Sequence, residues 1–199
     1  MRHALIAALC LLGCKEKSKP VPVDPAPAPV VTNSADLKAT SALVVTEQGG
    51  AFVVSDGAKK FQITLPNKPT ISGEVAAQGG VSVFNAQAVM PGGAVDVQFG
   101  SMTSLDGDMP REMLDMIASA PSQLATAAGG TLAKNEASKL AGRDARAFEL
   151  TTSDARRLFG WYVIASSQAR MYQINCVGPD NATSRTACEG VAKSLTLAP

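Results

Sequence analysis

The sequence predicts an α+β domain in which helices pack on a mainly antiparallel sheet. Short apolar segments alternate with glycine pairs from about residue 41 onward, as strands joined by turns do. One amphipathic helix interrupts these strands, and a second helix follows the last of them. The order of strands, helix, strands and helix is typical of the α+β class. A chain of 199 residues has room for one such domain with appended segments.

The first strands are indicated by short apolar runs bounded by turn residues. Phe61–Leu65 alternates apolar and polar side chains and stops at Pro66. A hairpin is predicted around Pro91, Gly92 and Gly93, with Asp96 and Gln98 on the polar face of its second strand. We predict strands at residues 43–45, 52–54, 61–65, 81–90 and 95–99.

A helix after the hairpin is predicted from apolar residues that recur at helical spacing. Pro110 suits the first helical position, and Gly129 with Gly130 ends the helix. Pro121 should kink or split it, because proline lacks an amide donor and clashes with the preceding turn. The residues that define its apolar face are Met113, Ile117, Ala120 and Leu124.

Three strands and a last helix complete the domain. The strands are predicted at residues 145–150, 158–165 and 171–177, and the helix at 184–195. Thr183 or Ser184 is a suitable N-cap, because a hydroxyl oxygen accepts from a free amide of the first turn.

The amino-terminal segment indicates export. A positive start at Arg2 is followed by apolar residues 4–12, which is typical of a signal peptide and too short for a membrane-spanning helix of about 20 residues. Residues 11–14, Leu-Leu-Gly-Cys, resemble the lipobox of bacterial lipoproteins. A short buried helix or an ordinary cleaved signal are the alternatives.

The lipobox resemblance implies a membrane anchor. It implies that residues 1–13 are removed as a lipoprotein signal peptide and that Cys14 becomes acylated, with palmitate among its fatty acids. Several acyl chains on one residue hold a protein stably in a bilayer. Lys15, in place of an aspartate, implies the outer membrane by analogy with lipoprotein sorting.

Residues 14–40 are predicted to be a tether, and residues 41–199 a single globular domain. Five of the chain's 12 prolines lie in the tether, which favours an extended polyproline conformation with too little apolar surface for a core. A ligand for a proline-binding module is the alternative interpretation of this segment.

Net charge and histidine content exclude several functions. The 18 basic and 17 acidic residues nearly balance, so bulk charge does not indicate nucleic-acid binding. His3 is the single histidine and leaves with the signal peptide. The mature chain then has no Ser-His-Asp triad, no Cys-His dyad and no imidazole metal site. We therefore predict a protein that is not an enzyme, with no cofactor, no catalytic residues and no metal.

Cys176 and Cys188 remain once the leader is removed and Cys14 is acylated. An even pair in an oxidising compartment favours a structural disulfide that holds the last helix on the last strand. Closing a loop of about 13 residues adds roughly 3 kcal/mol of stability. Two buried free thiols or a redox pair are the alternatives.

Three side-chain groups have both a functional and a structural interpretation. Asp106, Asp108 and Glu112 form either a cation site or an acidic loop and helix start. Trp161, Tyr162 and Tyr172 form either an aromatic ligand shelf or core anchors. The arginines of the last strands form either an anion-binding stripe or solvated partners of Glu149 and Asp154; they are Arg143, Arg146, Arg156, Arg157 and Arg170, of which all but Arg156 are the candidate ligand-binding residues.

Three segments of the globular part resemble the bacterial PsbP-like domains, relatives of the photosystem PsbP and the Ran-binding Mog proteins. They are residues 61–69, FQITLPNKP, residues 140–150, LAGRDARAFEL, and residues 170–174, RMYQI. The resemblance covers about residues 59–197. It implies an α/β/α sandwich with a central antiparallel sheet. Members of this group are accessory or partner-binding proteins without shared catalytic residues, so the resemblance transfers none.

The sequence favours a non-enzymatic envelope lipoprotein that binds another protein or assists assembly. Its partners are expected to be the bilayer, through acylated Cys14, and one envelope protein, with no nucleic acid. Its expected location is the outer membrane, facing the periplasm. The alternative is a small-ligand or anion sensor that uses the arginine-rich strands.

Overall fold

The computed structural model describes residues 41–75, 81–104, 111–165 and 169–198, which form eleven strands and two helices. The predicted signal peptide, Cys14 and the tether lie outside these residues, as do Asp106 and Asp108. The first six strands, β1 to β6, are Leu43–Gln48, Ala51–Asp56, Phe61–Leu65, Thr70–Val75, Val81–Val89 and Asp96–Ser104. Then follow helix α1 at Arg111–Ala127, strands β7 to β10 at Thr131–Leu140, Arg143–Thr151, Arg157–Ala165 and Arg170–Gly178, helix α2 at Ala182–Lys193 and strand β11 at Thr196–Leu197.

The strands form two antiparallel sheets. The larger has seven strands in the order β4-β5-β6-β10-β9-β8-β7, and the smaller has four in the order β1-β2-β3-β11. Every pair of neighbouring strands is antiparallel. The predicted α+β class with a mainly antiparallel sheet is confirmed.

Two apolar cores lie on opposite faces of the seven-stranded sheet. On one face, the buried α1 residues Ile117 and Leu124 share a core with Phe148 of β8. On the other face, α2 and the four-stranded sheet bury side chains against β6, β9 and β10. Successive side chains of a strand point to opposite faces, so each central strand contributes to both cores. A helix therefore covers one face, while a helix and a small sheet cover the other.

Three strands were not predicted from the sequence: β4, β7 and β11. Strands β4 and β7 are the two edges of the large sheet. Strand β7 is largely exposed, so its side chains need no regular apolar alternation. Strand β11 has two residues, and its pairing of Leu197 with Phe61 depends on a strand about 130 residues earlier.

Two helix details differ from the sequence predictions. Of the kink or split predicted at Pro121, the split does not occur, because helix α1 is continuous from Arg111 to Ala127. The burial of Ile117, Ala120 and Leu124 outweighs the hydrogen bond that the proline cannot donate. Helix α2 is capped by Asn181 rather than Thr183 or Ser184, since the Asn181 side chain accepts a 2.8 Å bond from the Ser184 amide.

No helix in the described part of the chain is long and apolar enough to cross a bilayer.

Candidate functional site

Arg170 forms a buried ion pair and does not face solvent. Its guanidinium donates through Nη1 to Oδ2 of Asp56, and 5% of Arg170 and 1% of Asp56 are exposed. The other carboxylate oxygen of Asp56 accepts a 2.7 Å bond from the Lys60 amide. Arg170 begins β10 and Asp56 ends β2, so the pair joins the two sheets inside the protein.

Tyr172 lies beside this ion pair and is itself fully buried. Burial raises the pKa of Tyr172 to about 12, because the phenolate is poorly solvated there. The negative charge of Asp56 acts in the same direction, and Arg170 opposes both. The phenol therefore stays neutral in the folded protein at physiological pH.

The structure does not bring the four candidate arginines into one stripe. Arg146 lies on the face that α1 packs against, where it donates a 2.8 Å bond to Asn135. Arg143, Arg157 and Arg170 lie on the opposite face. On that face, Arg157 pairs with Asp180 at 2.5 Å, at the far end of β10 from Arg170. These placements do not favour the anion sensor.

Glu149 was expected to pair with one of the candidate arginines, and it pairs instead with Arg185 of α2. Two parallel bonds of 2.6 and 2.8 Å join the guanidinium to the carboxylate. The hydrogen bonds from Arg185 lower the pKa of Glu149. The same guanidinium lies 4.8 Å from the ring centre of Phe159. Arg185 therefore holds α2 against β8 and β9.

The three aromatic residues do not form a common shelf. Tyr162 stacks on Phe148 at 5.2 Å, on the α1 face. Tyr172 packs against Phe61 at 5.1 Å, on the opposite face. Trp161 is partly buried against that second core. The side chains serve as core anchors. Glu112 of the acidic group lies in α1, and its side chain is outside the described part.

A disulfide joins Cys176 of β10 to Cys188 of α2, in agreement with the sequence prediction. Their Cα atoms are 5.7 Å apart, within the usual range for a disulfide. Both cysteines are fully buried in the core between α2 and the large sheet. The bond therefore holds the last helix on the last long strand.

A cleft of about 930 Å³ lies at one end of the seven-stranded sheet. Its floor is a row of three carboxamides on neighbouring strands, since Gln87 of β5 is opposite Gln98 of β6, which is opposite Asn175 of β10. Thr70 of β4 continues the row. The row runs from exposed Gln87, through half-buried Gln98, to buried Asn175.

Two connections form the sides of the cleft. Asn67, before β4, donates a 2.6 Å bond to the carbonyl oxygen of Val89, which fixes this connection against the end of β5. On the other side, Arg156 bonds to Asp154 at 2.8 Å and to Asp96 at 3.2 Å. Both sides are therefore tied to the sheet by side-chain contacts.

Sequence reasoning did not identify this cleft. It placed Asp96 and Gln98 on the polar face of β6, but a polar face is ordinary for an antiparallel strand. The alignment of Gln87, Gln98 and Asn175 depends on the pairing of β6 with β10, in which Gln98 and Asn175 are 77 residues apart in the chain. A glutamine or asparagine on the polar position of each strand is the signal that was present.

No family profile and no curated protein sequence matches the chain. Among similar solved structures, CyanoP, the cyanobacterial PsbP of Synechocystis, has a TM-score of 0.49 at 13% identity, over 87% of this chain and 98% of that one. LpqN, involved in cell envelope biogenesis of Mycobacterium tuberculosis, has a TM-score of 0.43 at 18% identity, over 68% and 87%.

A third similar structure is the T6SS immunity protein TplEi of Pseudomonas aeruginosa, complexed with a peptide. Its TM-score is 0.40 at 12% identity, over 82% of this chain and 81% of that one. A PsbP is thus among the similar solved structures. All three TM-scores are below 0.5, so no function or residue role is transferred from these proteins.

Proposed function

We propose that the chain is a non-enzymatic envelope lipoprotein whose PsbP-like sandwich domain binds another protein or assists its assembly. Acylated Cys14 anchors it, and residues 14–40 hold the domain away from the bilayer. The domain faces the periplasm from the outer membrane. This proposal joins the lipobox at residues 11–14 to the binding geometry of the folded domain.

The carboxamide floor of the cleft supports a binding function. Carboxamides donate and accept hydrogen bonds but exchange no protons at neutral pH, so Gln87, Gln98 and Asn175 suit recognition rather than acid–base chemistry. Hydrogen bonds from Thr152 and Arg156 lower the pKa of Asp154, which keeps this neighbouring carboxylate ionised. A group that stays ionised at neutral pH is a poor general acid.

Crosslinking in living cells tests the proposal. The full chain is compared with Cys14→Ser, which removes the acylated thiol, and with Cys10→Ser, which changes the cysteine inside the signal peptide. We expect one envelope protein to be captured by the wild type and by Cys10→Ser, and to be lost or strongly reduced with Cys14→Ser. Failure to capture any partner with the anchored wild type would contradict the binding function.

Metabolic labelling with a fatty-acid analogue tests the anchor separately. Label should enter the wild type and Cys10→Ser but not Cys14→Ser, and the labelled protein should fractionate with the outer membrane. Equal labelling of all three proteins would show that Cys14 is not the acylated residue.

A further inference from the structure

We propose that the carboxamide-floored cleft binds an uncharged, extended peptide segment of the partner protein. The carboxamides of Gln98 and Asn175 would form hydrogen bonds with its peptide groups. This inference rests on the proposed binding function and names the chemistry that the domain recognises.

The buried side chain of Asn175 is the strongest single observation for a bound ligand. It is 4% exposed, and its Oδ1 accepts no hydrogen bond from any residue that the structure describes. A buried acceptor without a donor destabilises the folded protein, so most such atoms are paired. Asn175 also lines the cleft, so a rotation of its carboxamide would turn the covered Oδ1 toward the N–H of a bound peptide.

The charges of the cleft indicate an uncharged ligand. Arg156, a cation of the lining, is already bonded to Asp96 and Asp154. Lys68 is exposed at the opposite rim. Among the described residues of the lining, two carboxylates and two cations therefore balance. A phosphate or carboxylate ligand would have to compete with Asp96 and Asp154 for Arg156, whereas a neutral ligand would not.

The spacing of the floor suits an extended chain. Neighbouring strands lie about 4.8 Å apart, so the row from Thr70 to Asn175 spans about 14 Å across four strands. An extended peptide of four to five residues covers that length at about 3.3 Å per residue. The cleft volume of about 930 Å³ is near the upper end of the range for ligand sites, which leaves room for side chains.

The chemistry of the lining favours a peptide over a sugar. A carboxamide offers one acceptor beside its donors, so it can bond to the N–H and the C=O of a peptide together. Val89, 45% exposed, and Val177 provide small apolar contacts for ligand side chains. The described residues that line the cleft include no aromatic ring on which a sugar could stack.

Selection from a random peptide library tests the inference. Phage-displayed peptides of about ten residues, long enough to cross the floor, are selected on the detergent-solubilised full chain. Enriched sequences are then synthesised with blocked ends. Their dissociation constants are measured for the wild type, Asn175→Leu, Gln98→Leu and Gln62→Leu. Gln62 is an exposed glutamine of β3 outside the cleft, so Gln62→Leu is the matched control.

We expect enriched peptides to bear few charges and to bind the wild type and Gln62→Leu equally. Binding should weaken at least tenfold in Asn175→Leu and several-fold in Gln98→Leu. Gln98 is less buried than Asn175, so Gln98→Leu keeps the test decisive if Asn175→Leu does not fold. Undiminished binding by both cleft variants, no enrichment on the wild type, or displacement of the peptides by a neutral maltodextrin would overturn the inference.

The cellular crosslinking experiment separates this inference from the proposed function. Capture of the envelope partner by the wild type but not by Asn175→Leu or Gln98→Leu would support both. Undiminished capture by both variants would leave the binding function intact and place the contact outside the cleft. Capture by no form of the protein would refute the binding function, while the peptide selection would still decide what the cleft binds.

Discussion

Two buried polar groups on strand β10 have opposite environments. Arg170, at the start of the strand, faces the small sheet and pairs with Asp56. Asn175, five residues later, faces the opposite side, and its Oδ1 has no donor among the described residues. The first group is satisfied within the protein and holds two sheets together. The second borders an open cleft, where the proposed peptide would supply the missing donor.

The elements that cover β10 produce this difference. On the side of Arg170, β2 brings a carboxylate into the interior. On the side of Asn175, α1 packs on β7 and β8, while the side chains of β5 and β6 form the cleft floor. The same strand therefore has a structural polar group on one face and a candidate binding group on the other.

The largest expected effect on stability comes from breaking the buried ion pair between Arg170 and Asp56. Asp56→Asn keeps the shape of the side chain and an oxygen for the Lys60 amide, but it leaves the Arg170 charge buried without a counter-ion. We expect the free energy of unfolding to fall by about 3–5 kcal/mol in urea titrations. Asp144→Asn, at an exposed pair with Lys139, is the control and should change stability little. A loss below about 1 kcal/mol for Asp56→Asn would show that Arg170 finds another partner.

Alkaline pH should lower the free energy of unfolding through Tyr172, which lies beside this ion pair. The pKa of Tyr172 is raised from 10.0 to about 12 in the folded protein. As pH rises through this window, the unfolded state loses the phenol proton first, so the free energy of unfolding falls with pH. This contribution to stability is present in full below pH 10. It should decrease by about 2–3 kcal/mol between pH 10 and 12. Tyr172→Phe should remove this part of the pH dependence, and an unchanged slope would contradict the assignment.

Substitution of two strand glycines tests how far close packing extends over the face of the large sheet that α1 packs against. A Cβ on Gly160 of β9 would lie 2.0 Å from Cζ of the buried Phe148 ring, whereas one on Gly100 of β6 would meet Oδ1 of Asn85 at 3.1 Å. We expect Gly160→Ala to cost about 1–3 kcal/mol of unfolding free energy, because the ring cannot move freely in a packed core.

Gly100→Ala is the matched substitution on the same face. Its closest contact is the end of a half-buried amide side chain, and Gln173 follows at an ordinary 3.7 Å, so thermal melts should show a much smaller change than for Gly160→Ala. Equal losses for the two substitutions would show that the middle of β6 is packed as tightly as β9.

The smallest expected effect has the opposite sign. Asn175→Leu removes an unsatisfied buried acceptor, so we expect the free energy of unfolding to stay constant or to rise by about 1 kcal/mol. Gln62→Leu, on the exposed side of β3, should leave it unchanged. A clear loss of stability in Asn175→Leu would mean that the carboxamide supports the fold, which would remove the contrast with Arg170.

Sequence patterns predicted the parts of the fold that depend on local residue order. Phe61–Leu65 alternates apolar and polar residues and forms β3. The residues around Gly92 and Gly93 form the turn between β5 and β6. Ile117, Ala120 and Leu124 recur at helical spacing and form the buried side of α1. Each signal lies within one segment, because the periods of strands and helices are short.

Burial and pairing could not be predicted in the same way. From the sequence, Arg170 remained a candidate anion ligand. Nothing in the sequence indicated that Tyr162 and Tyr172 lie on opposite faces of the sheet. Edge strands β4 and β7 lacked apolar alternation, because an edge strand is partly solvated. These features depend on which distant segment covers each strand.

Local order in the chain was sufficient for the α+β class and for most strand and helix positions, and the count of cysteines left after export predicted the pairing of the last two. The contact between Arg170 and Asp56, and the alignment of Gln87, Gln98 and Asn175, required the packed molecule. Secondary structure follows from periods of two to four residues, whereas a binding site combines strands that are close in space and far apart in sequence.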